Sequence, residues 1–389
     1  MWAAAYLGAA APVGNRERLK RELDRVAALG INNIRILGSS EFSPLKNSVR
    51  PTFRNRTSHY NEALLRGLDH ALAEMGKRGL TAVIYLTNFW EWSGGMMTYL
   101  YWTNGGRYIN MNDPAHPWPA FADRSSEFYG QAAAVKMFND YVRAVVGRRN
   151  TVTGRLYRDD PTIMAWQLAN EPRPGGSTEA GRKHMQAYLL WIGGTARLIK
   201  SIDPNHMVST GSEGTQGCLE DDQCVIDAHS SPMIDYLTGH IWPQNWGWAD
   251  PKDLAGTWPT TERNVRAYLE RQAAAAKSLG KPLVIEEFGY PRDGGSFDPS
   301  ATTTYKDRYY KLIYDAVLAS VRAGGPLQGA NFWGWGGEGR AQHADHHFVR
   351  GDTSYLGDPP HEPQGWYSVF DSDASTQAVI RSYAAAVKA

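Results

Sequence analysis

Apolar runs alternate with longer amphipathic stretches along the whole chain. Many of the runs are rich in β-branched residues and few polar residues interrupt them, which is typical of strands buried on both faces of a parallel sheet. We predict seven such strands, at Ile34–Leu37, Ala82–Thr87, Ile163–Ala169, Met207–Thr210, Ile234–Ile241, Leu283–Glu287 and Gly329–Trp335.

The stretches between these runs carry the helical period. Leu19, Leu23 and Val26 fall on one face of a first predicted helix. Further helices are predicted near residues 64–75, 128–147, 184–202, 261–279, 305–323 and 374–387. Strands that alternate with helices in this way form a parallel sheet covered by helices, so the predicted fold class is α/β.

We predict a closed (β/α)8 barrel that occupies residues 1–389 as one domain, because no linker or internal repeat divides the chain. A closed barrel needs eight strands, and the eighth should precede the first helix. Within this sequence Trp2–Leu7 is the segment that can supply it. The alternative is that the sequence begins partway through that strand.

Four long segments rich in Gly, Pro and Trp each follow the end of a predicted strand. In a barrel these loops form the face that carries the active site, so their length predicts an elaborate cleft. The four segments are 88–127, 211–233, 242–260 and 336–370.

The charge balance excludes some partners. Lys and Arg number 41 against 40 Asp and Glu, so the net charge is +1 and no global field attracts nucleic acid or an anionic membrane. No apolar stretch reaches the about 18 residues of a membrane-spanning helix. The 14 Trp and 20 Tyr, many of them near Gly, Asn and Glu, suit a groove that stacks sugars on aromatic rings. We expect a monomer.

The two cysteines, Cys218 and Cys224, lie in the polar run GCLEDDQC. They can close a small disulfide, and two free thiols are the alternative. The first residues are rich in Ala but carry no basic leader, which fits a mature chain whose export signal has been removed.

Two carboxylates end predicted strands. Glu171 follows the run IMAWQLAN, and Glu287 follows PLVIE. Retaining glycoside hydrolysis needs two carboxyl groups about 5–5.5 Å apart, and strand ends of one barrel can bring two acids that close. Glu286, next to Glu287, is a rival for the second position. Because alternation sends neighbouring strand side chains to opposite faces, one of the two is expected to face the barrel mouth.

The run QHADHH places His343, Asp345, His346 and His347 in the last long loop. Its spacing matches no standard metal-ligand motif, so we expect neither a catalytic metal nor a cofactor. A metal-dependent hydrolase that uses this cluster remains as an alternative, and it predicts loss of activity with a chelator.

The motifs WQLANEP, TGHIWPQNWGW, IEEFG and ANFWGWGG, with the earlier INNIRIL and YLTNFWEWSGG, resemble those of glycoside hydrolase family 5, in its β-mannanase branch. They extend over about residues 30–370. The resemblance implies that Glu171 is the general acid/base and that Glu287, which directly precedes Phe-Gly, is the nucleophile. Glu286 is then a structural acid.

The resemblance also implies a set of substrate-binding residues. Arg35 would hold the nucleophile ionised, Asn170 would bind the sugar 2-hydroxyl, and Trp333 would form the platform under the sugar. His240 would line the cleft, whereas Trp242 stands where many relatives have tyrosine, so that its role is open. Further candidates for sugar contact are Asn88, Trp90, Arg173 and Glu213, with Trp92, Trp246 and Trp248 as possible extra platforms.

The predicted activity is therefore hydrolysis of β-1,4-mannosidic bonds with retention, on mannan polysaccharides or manno-oligosaccharides, by an endo-acting enzyme that is secreted or periplasmic. An exo-acting β-mannosidase of the same fold is one alternative, because 88–127 and 336–370 are long enough to close one end of the groove. A non-catalytic carbohydrate-binding barrel is another alternative, beside the metal-dependent hydrolase named above.

Overall fold

The computed structural model describes residues 1–57 and 59–388 and has two parallel sheets at its centre. The first has the order β1-β2-β3-β4 and the second β5-β6-β7, and a short parallel pair, β8 and β9, follows. The strands are β1 Asn33–Leu37, β2 Thr81–Tyr85, β3 Ile163–Gln167, β4 Met207–Ser209, β5 Leu237–Ile241, β6 Leu283–Phe288, β7 Leu327–Ala330, β8 Trp335–Gly337 and β9 Val369–Phe370.

Helices cover the outside of these sheets. They are α1 Ala4–Gly8, α2 Arg16–Ala28, α3 Glu62–Gly76, α4 Gly95–Thr103, α5 Ala120–Ser126, α6 Ala132–Val146, α7 Thr178–Ile202, α8 Asp222–His229, α9 Leu254–Leu279, α10 Thr304–Arg322 and α11 Ala374–Lys388. Their apolar faces and the strands share one large hydrophobic core. The α/β barrel is thus confirmed, and all seven predicted strands are present with shifted ends.

The sheets meet on one side between β4 and β5, where the Asp235 amide donates to the Val208 carbonyl at 2.8 Å. On the other side, a seam separates β1 from β7. There the side chains of Asn331 and Asn33 form a hydrogen bond of 2.9 Å across the gap. A cavity of about 280 Å³ opens beside it, lined by Ile34, Val284 and Ala330 among others.

The prediction that Trp2–Leu7 forms the first barrel strand is wrong, because Ala4–Gly8 is helical. The run of alanines favours a helix, and two glycines let this helix pack against α3. A Cβ on Gly8 would lie 2.2 Å from the Gly67 carbonyl oxygen, and one on Gly67 would lie 2.2 Å from that of Ala5. The helical part of the segment thus packs against α3, whereas the Trp2 carbonyl accepts a hydrogen bond from the Leu37 amide at the end of β1, at 3.0 Å.

Three of the segments predicted as loops contain helical residues, since α9 begins at Leu254, inside 242–260. α4 and α5 lie within 88–127, and α8 lies within 211–233. Almost every residue of α4 is buried, so it has no polar face and no amphipathic period to detect. The predicted strand Gly329–Trp335 is also divided, into β7 and β8. Among the described residues, none of the helices has the length and apolar composition needed to cross a membrane.

Candidate active site

Glu171 and Glu287 meet at the carboxyl ends of β3 and β6. Both side chains are buried, and both line a cleft of about 660 Å³. A carboxylate oxygen of each lies within 4.8 Å of the other and of a ring nitrogen of His240. The predicted pair of acids is therefore brought close together at one mouth of the barrel, as retaining glycoside hydrolysis requires.

The backbone places Glu171 in the cleft through an unusual conformation. Glu171 has φ of 51°, in the left-handed region that residues with a side chain rarely adopt. Its amide donates to the Gly211 carbonyl at 2.8 Å, and the preceding Asn170 amide donates to the Thr87 carbonyl at 2.8 Å. These bonds to both neighbouring strand ends hold the strained residue at the mouth of the barrel.

Arg35 connects three parts of the site. From β1 its guanidinium donates to the carboxylate of Glu287, to Asn170 Oδ1 at 2.8 Å and to Gln167 Oε1 at 2.7 Å. The Arg35 side chain is buried, and its Cζ atom lies 4.5 Å from the centre of the Tyr85 ring. A buried guanidinium in this position stabilises the charged form of Glu287.

Glu286 lies below the cleft. It accepts hydrogen bonds from Gln167 Nε2 and from the Tyr236 hydroxyl, the latter at 3.1 Å, and it does not line the cleft. The ladder between β5 and β6 pairs Gly239 with Ile285 and then His240 with Glu287, so that Glu286 is skipped. This bulge breaks the strict alternation on which our sequence argument relied, and it brings Glu286 within 3.7 Å of Arg35 as well.

The two cleft carboxyls differ in what surrounds them. Burial raises the pKa of both. The Arg35 guanidinium opposes that rise at Glu287, to which it donates directly. At Glu171 the charge of Arg173 and the indole N–H of Trp90 oppose it. Since one proton is easily shared by such a close pair, the direct contact with Arg35 favours charge on Glu287 and the proton on Glu171.

His240 and Trp90 hold Glu171 from two sides. Burial, and then the charge of Arg35, lower the pKa of His240 well below its ordinary value, so its imidazole is neutral. Its Nδ1 lies 2.6 Å from Glu171 Oε1 and 3.4 Å from Glu287 Oε2, so it shares a hydrogen bond with Glu171. The Trp90 indole donates to the other oxygen of Glu171.

The two predicted asparagines form one chain of hydrogen bonds. Asn170 Nδ2 donates to Asn88 Oδ1 at 3.1 Å, and Asn88 Nδ2 donates to Ser93 Oγ at 3.1 Å. Asn170 lines the cleft, whereas Asn88 is buried behind it. We therefore place Asn88 behind Asn170 and not against the substrate.

Arg173 and Glu213 were predicted as separate sugar contacts, and the structure pairs them. Arg173 Nε and Nη2 donate to the two Glu213 oxygens at 2.6 and 2.8 Å, and both residues line the cleft. A disulfide between Cys218 and Cys224 closes the segment that follows Glu213. Two polar residues inside or next to that loop, Gln216 and Glu220, also line the cleft.

Tryptophans form much of the rest of the cleft. Trp333 lies in the lining, with its ring centre 6.4 Å from that of Trp242 and 6.4 Å from that of Trp92. Trp246 and Trp248 pack edge to face at 4.9 Å on another part of the lining. All of the tryptophans that we predicted for the cleft thus line one surface together with the two acids.

Trp118, His361 and Glu362 are among the cleft residues that were not found from the sequence. Trp118 is 61% exposed, and the Arg173 guanidinium carbon lies 5.8 Å from the centre of its ring and 4.9 Å from that of Trp90. His361 and Glu362 belong to the segment between β8 and β9. The only signal for them was the length of the segments 88–127 and 336–370.

Two groups of residues bear on metal binding. Within the described chain, Glu171, His240 and Glu287 form a donor set that could hold an ion, but the Arg35 guanidinium already supplies a positive charge beside Glu287. In the run QHADHH, His343 pairs with Asp352 at 3.0 Å, and His346 Nδ1 contacts the Gln364 carbonyl at 2.8 Å. These contacts give the histidine run a role in ordering its loop.

Comparison with known proteins agrees with this geometry. The model of the GH family 5 beta-mannosidase-like family matches residues 1–389. Mannan endo-1,4-beta-mannosidase 1 of Arabidopsis thaliana is 30% identical over 331 residues, which cover 82% of this chain and 72% of that protein. The crystal structure of a glycoside hydrolase family 5 mannosidase from Rhizomucor miehei superposes with a TM-score of 0.90 and 35% identity, over 100% of this chain and 92% of that one. A mutant of that enzyme was crystallised with mannosyl-fructose.

Proposed function

Because the chain belongs to the GH family 5 beta-mannosidase-like family, and so is a glycoside hydrolase, we propose that Glu171 and Glu287 cleave β-1,4-mannosidic bonds with retention of configuration. The observation that carries the proposal is the pair of buried carboxylates within 4.8 Å, of which one contacts Arg35. The substrate class, mannan or manno-oligosaccharides, rests on the relatives named above.

In the first step, a Glu287 oxygen forms a bond to the anomeric carbon while the bond from that carbon to the leaving oxygen breaks. Glu171 gives its proton to the leaving oxygen. In the second step, Glu171 removes a proton from a water molecule, whose oxygen bonds to the anomeric carbon and displaces Glu287. Two inversions give net retention, and Glu171 regains its proton.

The neighbouring residues have supporting roles in this proposal. Arg35 keeps Glu287 charged before attack, and His240 with Trp90 orients Glu171 toward the leaving oxygen. Asn170, held by Arg35 and Asn88, is placed to bind the 2-hydroxyl, where a hydrogen bond strengthens as positive charge develops on the sugar ring. Trp333 supplies an aromatic face beside the reacting sugar.

The test replaces Glu171 by Ala and follows hydrolysis of an aryl β-mannoside with a good leaving group. The first step no longer needs the acid, so glycosyl-enzyme accumulates, and added azide restores turnover as a β-mannosyl azide. Glu286→Gln serves as the matched control, because Glu286 is a buried acid outside the cleft, and azide should not change its rate. Full activity of Glu171→Ala on mannan without azide would contradict the assignment.

A specific observation favours the exo-acting alternative as a second candidate. The segment between β8 and β9 extends to the 43–46 turn, where Arg350 Nη2 donates to the Leu45 carbonyl at 2.7 Å. It places His361 parallel to Trp92, with ring centres 6.4 Å apart, and it adds Glu362 to the cleft lining. We refer to residues 338–368 as the crossing segment.

Glu362 gives the crossing segment a carboxyl group that can recognise the end of a saccharide chain. Its Oε2 atom is buried and has no hydrogen-bond partner among the described residues. Burial and the neighbouring charges of Asp358 and Glu287 raise the pKa of Glu362, so that its carboxyl can donate as well as accept. A terminal sugar hydroxyl would satisfy it. Mannohexaose separates the candidates: mannose as the only early product supports exo action, and mannobiose with mannotriose supports endo action.

We also propose that the protein acts outside the cytoplasm as a monomer. The Cys218–Cys224 disulfide supports the first statement, because such bonds persist in oxidising compartments. Intact-mass measurement after thiol alkylation of the native protein tests the disulfide, and light scattering after size exclusion tests the monomer.

A further inference from the structure

A second large groove opens between the 42–57 segment, the end of α4 and the crossing segment. Its volume is about 1070 Å³, and none of the described residues that line it also lines the catalytic cleft. Nothing in the proposed mechanism uses this groove, so it needs an explanation of its own.

The charge of the groove is one-sided. Arg50, Arg56 and Arg350 line it, and none of the described residues of its lining is Asp or Glu. Among the described residues, none of these three guanidiniums has a carboxylate within ion-pair distance, in contrast to Arg340, which pairs with Asp371 at 2.7 Å. Three unneutralised positive charges at one groove create a local potential that attracts an anion.

Two of these arginines are fixed by one turn of the backbone. Arg50 donates to the carbonyls of Ser43 and Val49, and Arg350 donates to that of Leu45. Burial, and then the charge of Arg350, lower the pKa of Arg50 to about 10. The two cations are thus held near each other against their repulsion, while Nε of Arg50 and Nε and Nη1 of Arg350 have no hydrogen-bond partner among the described residues.

Aromatic and hydroxyl groups complete the lining. The Phe42 side chain is 55% exposed, although the Arg50 guanidinium covers it at 4.4 Å from the ring centre. The Trp102 indole fixes the Phe42 backbone by donating to its carbonyl at 3.1 Å. The lining also contains side-chain hydroxyl and amide groups of Ser43, Asn55, Thr57 and Thr103, together with Tyr101.

We propose that this groove binds an anionic saccharide, with the carboxylate of a hexuronate held by Arg50 and Arg350 and its ring stacked on Phe42. Planar guanidiniums match the two oxygens of a carboxylate, and an exposed aromatic face matches the C–H face of a pyranose. The groove is a second saccharide site, and its existence does not depend on hydrolysis in the cleft.

The experiment measures binding by calorimetry to the full chain carrying Glu287→Gln, with trigalacturonate, mannotriose and inorganic phosphate as probes. We expect trigalacturonate to bind saturably, and more weakly as salt rises from about 0.05 to 0.5 M. Saturating mannotriose should leave that affinity unchanged, because it occupies the cleft. Inorganic phosphate should bind far more weakly than trigalacturonate, since it cannot stack on Phe42.

Variants locate the site. Arg350→Gln and, separately, Arg50→Gln should weaken trigalacturonate binding at least about tenfold. Phe42→Ala should weaken trigalacturonate but not phosphate, whereas Arg340→Gln, an exposed and already paired arginine, should change neither. Thermal unfolding of each variant shows whether it is folded. Unchanged trigalacturonate affinity in both Arg350→Gln and Phe42→Ala, or no saturation at about 10 mM, would overturn the proposal. Equal affinity for phosphate would overturn its saccharide part.

Discussion

Two cavities lie next to Arg35, and although Trp333 lines both, they differ in position, polarity and hydrogen bonding. The cleft lies at the carboxyl ends of the strands and contains Glu171, Glu287 and tryptophans. The seam cavity lies between β1 and β7 and is lined mainly by apolar and aromatic side chains, among them Ile34, Val284 and Tyr383. The seam cavity is smaller and more apolar, and its acid, Glu286, already has hydrogen-bond partners.

The comparison shows that a cavity with apolar walls is not enough to mark an active site. What distinguishes the cleft is a pair of carboxyls held close together, with a cation on one of them and strained backbone at the other. Four substitutions test this distinction.

The largest effect is expected for Glu287→Gln. This change keeps the shape of the side chain but removes the nucleophile, so kcat for an aryl β-mannoside should fall on the order of 10⁴-fold or more. The measurement is initial rate on purified protein, with thermal unfolding as the check on folding. A loss below about tenfold would mean that the cleft pair does not carry the reaction.

Glu286→Gln changes the neighbouring acid and should have a much smaller effect on activity. Glu286 faces Gln167 and Tyr236 and not the substrate, so we expect kcat/KM to fall less than about tenfold, through the loss of its charge near Arg35. Should this variant lose as much activity as Glu287→Gln, the assignment of the nucleophile between the two acids must be reversed.

Trp90→Phe should move the pH profile. The Trp90 indole stabilises the charged form of Glu171 and so lowers the pKa of that carboxyl. Without it the pKa of Glu171 rises, the acid stays protonated to higher pH, and the alkaline limb of kcat/KM shifts upward. Trp118→Phe, which alters the cleft without touching Glu171, should leave the limb in place. A downward shift of the alkaline limb in Trp90→Phe would contradict a hydrogen bond from Trp90 that stabilises the charged form of Glu171.

Gly329→Ala tests the seam cavity and has the smallest expected effect. An added Cβ on Gly329 meets Val284 at 3.7 Å, which is ordinary contact, and the residue does not have a positive φ. The free energy of unfolding should rise by about 0.4–1 kcal/mol, mainly through a less flexible unfolded chain, with activity unchanged. Gly239→Ala is the matched strand control, because its Cβ would lie 3.1 Å from Ile285, and it should give no gain.

Much of the fold could be predicted because buried parallel strands appear in the sequence as continuous apolar runs. Those runs located all seven barrel strands, and the abrupt polar residues at two strand ends pointed to Glu171 and Glu287. Trp2–Leu7 was misassigned because a barrel was expected to need a strand there, although its alanines favour a helix. Helix α4 was missed because it is apolar on all sides.

The finer arrangement of the site depends on contacts that no local pattern contains. The bulge at Glu286 shifts the β5–β6 ladder by one residue, and no residue pattern in the run VIEEF predicts this shift. Glu362 reaches the cleft because the crossing segment is anchored about 300 residues away in the chain, at Leu45. Arg173 and Glu213 were each predicted for the cleft, but their mutual ion pair follows from the packing of two separate loops.

Arg35 stands on the strand that borders the seam, and its guanidinium reaches across the interior to residues of β3 and β6. It therefore connects β1 to the opposite strands, and any widening of the barrel at the seam moves the positive charge of Arg35 away from Glu287. The nucleophile then takes up a proton more readily and becomes a poorer attacking group. On gradual warming, turnover should consequently decline before the helices melt.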